Sequence, residues 1–336
     1  MQGIHHILQP EIKNIEAQLL RLYTYLYKKA ERQGFEPWEQ LPVHRISSAA
    51  RSTTPASFRR EGTIFFLYGI TDVRFFNETM KISLVQMNLA WCDTTENLRH
   101  AEELITSNGG ADVYVLPEMF TTGFCMEPHR IAEPMEGPSL QWMRSMAAKA
   151  DAAVVGSVAT IAPDGGYKNR MYFVEPDGHV THYDKRHLFS YSGEDKHYEA
   201  GQERVIVTFR GVRFFLQVCY DLRFPVFGRN LDDYDVALYV ANWPDKRRMA
   251  WDVLLRARAI ENQAVVIGVN RVGTDPMCVY DGGTAAIDFF GYVAARCDDH
   301  TEQVVTYEVK MDELRHYRDK FPSLADSDDF CLVENE

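Results

Sequence analysis

From Met80 onward the chain alternates short apolar runs with stretches whose apolar residues recur every three or four positions. The first pattern reads as buried strand and the second as amphipathic helix. Strands are predicted at KISLVQMN (81–88), ADVYVLP (111–117), AAVVGSVAT (152–160), NRMYFVEP (169–176), HVTHYDK (179–185), VIVTF (205–209), VRFFLQVC (212–219), DVALYVAN (235–242), AVVIGVN (264–270), TAAIDFF (284–290) and VVTYEV (304–309). Helices are predicted over 94–107, which Asp93 can cap, over 139–150 with Pro138 near its start, and over 247–262. EPDGH between two of the strands is a hairpin signal, and Arg210-Gly211 joins another pair. This order predicts an α/β protein with two sheets or one large mixed sheet.

Residues 1–79 read differently. Ile12, Ile15, Leu19, Leu20, Leu22, Tyr23, Leu26 and Tyr27 have helical spacing, and the polar stretch HRISSAARSTTPASFRREG has the composition of a linker. Their charge balance is +2, against −14 for 80–336. The domain is therefore expected to occupy 80–336. The preceding 1–79 are expected to be an extension, helical or poorly ordered, or upstream sequence read in frame from a misplaced start.

The net charge of −12 argues against general nucleic-acid binding, which uses a basic surface. No apolar run is long enough to span a bilayer, and the first residues lack the pattern of a signal peptide. The six cysteines show no CxxC spacing, so they read as reduced thiols in a cytoplasmic protein. His182, His187 and His197 lack regular ligand spacing, so no metal is expected.

Three residues combine into chemistry. Glu118 follows VYVLP, Lys185 ends HVTHYDK and Cys219 ends VRFFLQVC. Taken singly, each has a plain structural reading: a solvated carboxylate, a surface lysine, and a small buried apolar side chain. Together, each at a strand end, they are the parts needed to split an amide through a thioester. The thiol is the nucleophile, the carboxylate moves its proton, and the ammonium faces the oxyanion. Lys185 is also expected to lower the Cys219 pKa, as a nearby cation does. The backbone N–H of Tyr220 is the natural second donor to the oxyanion. His187 and His197 offer a papain-like partner for a thiol, but neither has a local signature.

These segments resemble the carbon–nitrogen hydrolase (nitrilase) superfamily over essentially all of 80–325. YDKRHLF, GEDKHYEAG, CYDLRFP, ANWPDKRRMAW, LLRARAIENQ and GVNRVG resemble its omega-amidase group most. The resemblance implies a Glu118–Lys185–Cys219 triad and a second glutamate that holds the lysine, Glu194, with Glu199 as the fallback. It implies a four-layer α-β-β-α sandwich, a homodimer with sheets stacked across the interface, and no cofactor. Tyr220-Asp221 after the cysteine favours an amidase over the nitrile-hydrolysing branch, which carries Trp-Glu there. Thr284 and Phe290 depart from the group's pattern in GGTAAIDFFG and bear on fine selectivity. The implied substrates are α-keto acid amides such as 2-oxoglutaramate and 2-oxosuccinamate. A cation must meet their carboxylate: Arg186 or Arg223, with Arg247 behind them. The plain alternative for Arg223 is a salt bridge with Asp221. Asn242 and Trp243 are expected to line the pocket. The rival readings are another amidase or carbamoyl-amine hydrolase of the superfamily, and an idle scaffold that binds a partner through its extension.

Overall fold

The computed structural model describes residues 79–328 and 330; the expected N-terminal extension lies, but for Thr79, outside them. Fifteen strands and five α-helices are described. In chain order they are β1 (Thr79–Gln86), α1 (Thr94–Ser107), β2 (Val113–Val115), α2 (Pro128–Ile131), β3 (Glu133–Pro134), α3 (Pro138–Ala150), β4 (Ala153–Ile161), β5 (Tyr167–Val174), β6 (Val180–Asp184), β7 (Ile206–Phe209), β8 (Val212–Val218), β9 (Val236–Ala241), α4 (Arg248–Glu261), β10 (Val265–Asn270), β11 (Val272–Thr274), β12 (Val279–Asp281), β13 (Ala285–Ile287), β14 (Val293–Arg296), β15 (Gln303–Lys310) and α5 (Met311–Lys320).

Two mixed sheets carry the fold. One has the order β15-β1-β2-β4-β5-β6, with β3 paired to β4; the other has the order β14-β13-β10-β9-β8-β7. Alternation along each strand explains the layering. In β1, Ile82 and Leu84 enter the core shared with Phe214 and Leu216 of the facing sheet. Val85 and Met87 instead join Ala101 and Ile105 of α1 and Leu140 and Met143 of α3. Trp251, Leu255 and Ala259 of α4 cover the other sheet. The result is the expected α-β-β-α sandwich.

Local signals set most boundaries. The Asp93 carboxylate accepts the Glu96 N–H (3.0 Å) and caps α1, while Pro138 opens α3. The helix expected over 247–262 begins one residue later, because Asp245–Arg247 form a 3₁₀ turn first. The β11–β12 hairpin, β14 and α5 were not expected. The two hairpin strands have three residues each, and α5 buries only Met311 and Leu314, so their apolar patterns are short.

The parallel strands direct their C-terminal ends to one edge. β2 runs parallel to β1 and β4, β6 returns to that sense through the β4–β5–β6 meander, and β9 runs parallel to β8 and β10. In open α/β sheets this carboxyl edge is where ligands bind. Lys185, Cys219 and Asn242 each stand immediately after a strand there, and Glu118 stands three residues past β2.

Candidate active site

Lys185 is 1% exposed and sits between two fully buried carboxylates. Its ammonium donates to Glu118 Oε1 (2.8 Å) and to Glu194 Oε1 and Oε2 (3.0 and 2.9 Å). Phe124 presents its ring to the same nitrogen at 5.2 Å. Burial opposes the Lys185 charge, yet the two carboxylates more than offset it and hold its pKa above that of an ordinary lysine. Burial also raises the Glu194 pKa; Lys185 counteracts the rise and Glu118 adds to it.

The remaining valences of these carboxylates are fixed by neighbours. Glu118 Oε2 accepts the Asn242 backbone N–H (2.8 Å), and the Asn242 side chain donates to the Glu118 carbonyl (2.6 Å). Glu194 Oε2 accepts the Phe189 N–H (2.6 Å). Asn169 on β5, which sequence reasoning missed, donates through Nδ2 to Glu118 Oε1 (2.8 Å) and Glu194 Oε1 (3.1 Å). Its Oδ1 accepts from Ser157, which in turn accepts the Met119 N–H. A signal was present for Ser157, a polar group in a mostly apolar run that must find a partner, but Asn169 sits between Lys168 and Arg170 and does not stand out.

Cys219 follows β8 at once and opens a 3₁₀ turn, Cys219–Arg223. Its φ of 47° lies in the left-handed region, which costs a non-glycine residue roughly 1–2 kcal/mol. Asp221, 1% exposed, anchors this elbow. Its Oδ2 accepts the Val218 N–H (2.9 Å) and the Tyr183 hydroxyl (2.8 Å), and its Oδ1 accepts the His187 N–H (3.0 Å) and faces His187 Nδ1 (2.7 Å). Asp221 thereby ties the end of β8 to residues on both sides of Lys185. Gly201 closes the lysine's far side by donating to the Lys185 carbonyl (2.9 Å); an added Cβ there would lie 2.1 Å from the Asp184 carbonyl oxygen.

The half-buried Cys219 thiol approaches the Asn242 carbonyl at 4.0 Å. Burial pushes its pKa well up, the Glu118 charge adds to this, and Lys185 opposes it. Lys185 does pull the Cys219 pKa down, as expected, but burial and Glu118 outweigh it, so the expected net lowering is corrected. A thiolate there would be desolvated and would face Glu118, and the Lys185 charge only partly offsets this.

The other candidates separate clearly. Arg186 donates to the Gln202 carbonyl (3.0 Å) and Gln202 Oε1 (2.7 Å) and packs over Phe227. Arg223 is exposed, packs over Trp243 at 5.1 Å, and is not among the partners of Asp221. Trp243 is 3% exposed, donates to the Arg247 carbonyl (2.8 Å) and packs on Trp251. The Tyr220 ring packs on Phe189 at 4.9 Å. Glu199 pairs with Lys168 (3.0 Å), away from Lys185. Thr284 exchanges hydrogen bonds with the Asn270 backbone, and the Asn270 side chain accepts the Trp243 N–H, so this departure from the group's pattern sits behind the Trp243 wall. Phe290 is surface-exposed.

The carbon–nitrogen hydrolase family profile matches residues 81–319. An omega-amidase of Yersinia enterocolitica is 48% identical over 76% of this chain and 99% of its own. A 2-oxoglutaramate amidase of Bacillus subtilis is 32% identical over 73% of this chain and 96% of its own. A solved structure from Xanthomonas campestris, a CN-hydrolase superfamily protein with an arsenic adduct in its active site, is 43% identical. It covers 76% of this chain and 99% of its own, with a TM-score of 0.74. With the family matched along most of the described fold and relatives of this similarity, the chain belongs to the carbon–nitrogen hydrolase family, hydrolases of amide carbon–nitrogen bonds, and falls with its omega-amidase group.

Proposed function

We propose that the chain is an omega-amidase that hydrolyses the terminal amide of an α-keto acid amide, such as 2-oxoglutaramate or 2-oxosuccinamate, to the dicarboxylate and ammonia. The observation that carries this reading is the buried Glu118–Lys185–Glu194 cluster set against a strained cysteine elbow. The omega-amidase and 2-oxoglutaramate amidase relatives support the substrate class.

The proposed chemistry starts from the thiol form of Cys219. The Cys219 S–H gives its proton to Glu118 as the sulfur attacks the amide carbonyl carbon. The charge developing on the carbonyl oxygen meets the Lys185 ammonium and the Tyr220 N–H; the first N–H groups of a helical turn have no partner within it. Glu118 passes the proton to the departing nitrogen, the C–N bond breaks, and ammonia leaves a thioester on Cys219. Glu118 then takes a proton from water, whose oxygen attacks the thioester carbon. Collapse breaks the C–S bond, the sulfur recovers its proton from Glu118, and the acid departs. Glu194 and Asn169 position the lysine and the base. Thiol chemistry suffices for this acyl transfer without a cofactor.

Arg223 is the cation best placed for the substrate carboxylate. It lies four residues beyond the nucleophile and packs on an aromatic wall, whereas Arg186 is engaged by Gln202. Asn242 serves Glu118, and Trp243 supports Arg223. We also propose a homodimer: Met249 (78% exposed), Val253 (55%) and Ile260 (54%) give α4 an apolar outer face. Sedimentation at micromolar concentration tests it.

The experiment is ammonia release from 2-oxoglutaramate beside glutamine, asparagine and a simple nitrile, with Cys219→Ala as control. Release confined to the oxo-amide and lost in the variant supports the proposal. Equal release from neutral amides, or release surviving in Cys219→Ala, overturns it.

A further inference from the structure

Arg247 carries a second cation to the rim of this site. Its guanidinium packs over the Phe189 ring at 5.0 Å, and the same ring packs on Tyr220, the residue after the candidate nucleophile, at 4.9 Å. Its carbonyl accepts the Trp243 indole N–H, and Trp243 in turn carries Arg223. The contacts thus close a ring: Cys219–Tyr220, Phe189, Arg247, Trp243, Arg223, and back through the elbow to Cys219. Two arginines stand on this ring, each against an aromatic face.

Their partners set them apart: the other described arginines without a carboxylate, Arg186, Arg229, Arg256 and Arg271, donate to carbonyl groups, whereas these two guanidinium groups lie against aromatic rings. Most arginines among the described residues face a carboxylate, as Arg170 faces Asp184, Arg213 faces Asp235 and Arg248 faces Asp252. No ion pair of 4 Å or less holds Arg223 or Arg247 among the described residues. Neither Asp245, two residues away, nor Asp275 pairs with Arg247 within 4 Å. Asp245 accepts the Lys246 N–H, and Asp275 in the β11–β12 hairpin accepts Met277 N–H, Cys278 N–H and the Tyr280 hydroxyl. A chain of net charge −12 thus leaves two arginines on one ring of contacts with no carboxylate of the described residues within 4 Å.

Resting on the omega-amidase reading, we propose that Arg247 is a specificity-determining residue that selects anionic amides at the mouth through its field, while Arg223 makes the contact. A guanidinium that does not touch the substrate acts through a potential that is screened by salt. Its loss therefore changes capture of charged substrate, not the chemical step. The expected effect is about a two- to fivefold fall in kcat/KM at low salt. Charge reversal should exceed it.

The test compares wild type with Arg247→Gln, Arg247→Lys and Arg247→Glu on 2-oxoglutaramate and on its uncharged methyl ester, at low and high salt. The inference expects Arg247→Gln to raise KM for the anion only, to leave kcat unchanged, and to flatten the salt dependence. Arg247→Lys should restore both the KM and the salt slope, and Arg247→Glu should deepen the loss. Equal losses on anion and ester would show that Arg247 merely packs Phe189 and would overturn the inference, as would an unchanged salt slope in Arg247→Gln. A wild type that hydrolyses neither oxo-amide nor ester fails the omega-amidase reading itself, a result distinct from either outcome for the variants.

Discussion

Replacing Asp221 by Asn should loosen the Cys219 elbow by an amount that can be worked from its hydrogen bonds. The carboxylate accepts from Val218 N–H and Tyr183 OH on one oxygen, and from His187 N–H while facing Nδ1 on the other. Asparagine keeps the shape but supplies only one acceptor oxygen. If its NH₂ takes the Oδ2 position, the Tyr183 hydroxyl can turn to accept, but the Val218 N–H is left facing a donor. If it takes the Oδ1 position, His187 can offer Nδ1 as an acceptor, but the His187 N–H is orphaned. Either way one buried backbone donor loses its partner, at about 1–3 kcal/mol, and the surviving bonds lose their charge assistance. Relief from burying the carboxylate offsets part of this, leaving roughly 2–4 kcal/mol. For a fold of this size the melting temperature should drop by about 4–16 °C. With Val218 released, Cys219 loses the constraint that holds its φ at 47°, so kcat should fall at least about tenfold while KM moves less. Calorimetry and steady-state kinetics on the same preparation measure both. A melting temperature within about a degree of wild type, together with an unchanged kcat, would refute this account of the elbow.

Further outcomes follow from the site. Glu194→Gln removes one of the two carboxylates on Lys185 and should cost kcat at least about a hundredfold with little change in circular dichroism, since Glu118 still pairs the lysine. Gly201→Ala would press a methyl group into the Asp184 carbonyl and should lower the melting temperature measurably. Because the Cys219 thiol is pushed well up by burial and by Glu118, its alkylation by iodoacetamide should keep accelerating above the usual thiol range, with no plateau near neutrality. The folded chain holds that proton more tightly than the unfolded one, so this contribution to stability is complete below the usual thiol range and is lost as pH rises through it and above. Cys219→Ala should melt with a weaker fall on the alkaline side than wild type.

The sandwich was legible because strands buried on both faces give runs such as VYVLP and VVIGV, and because helix ends carry local signals such as Asp93 and Pro138. The β11–β12 hairpin, β14 and α5 were less so, being short or poorly apolar. In the site, Glu118, Lys185 and Cys219 could be singled out because each ends a strand, and the structure brings all three to one carboxyl edge with Glu194. What the sequence could not show was the charge balance. Nothing in HYDKRHLF says that Lys185 faces two carboxylates, so a lowered thiol pKa was the natural expectation, and the buried geometry reverses it. The Asn169 bridge and the Asp221 clamp were hidden for a related reason. Most of their partners lie far away in sequence: the pairing of β4 with β5 brings Asn169 to Ser157, and the packing of the two sheets brings Asp221 to Tyr183 and His187.

The central claim is that Cys219 carries the substrate's acyl group after ammonia has left. Mixing enzyme with 2-oxoglutaramate, quenching in acid within the first turnovers and mapping the intact and digested masses tests this directly. The account predicts one acyl adduct per chain, located on the peptide containing Cys219 and absent from Cys219→Ala. Turnover without any adduct in Glu118→Gln or wild type, or an adduct on Cys92 or Cys278 instead, would contradict it.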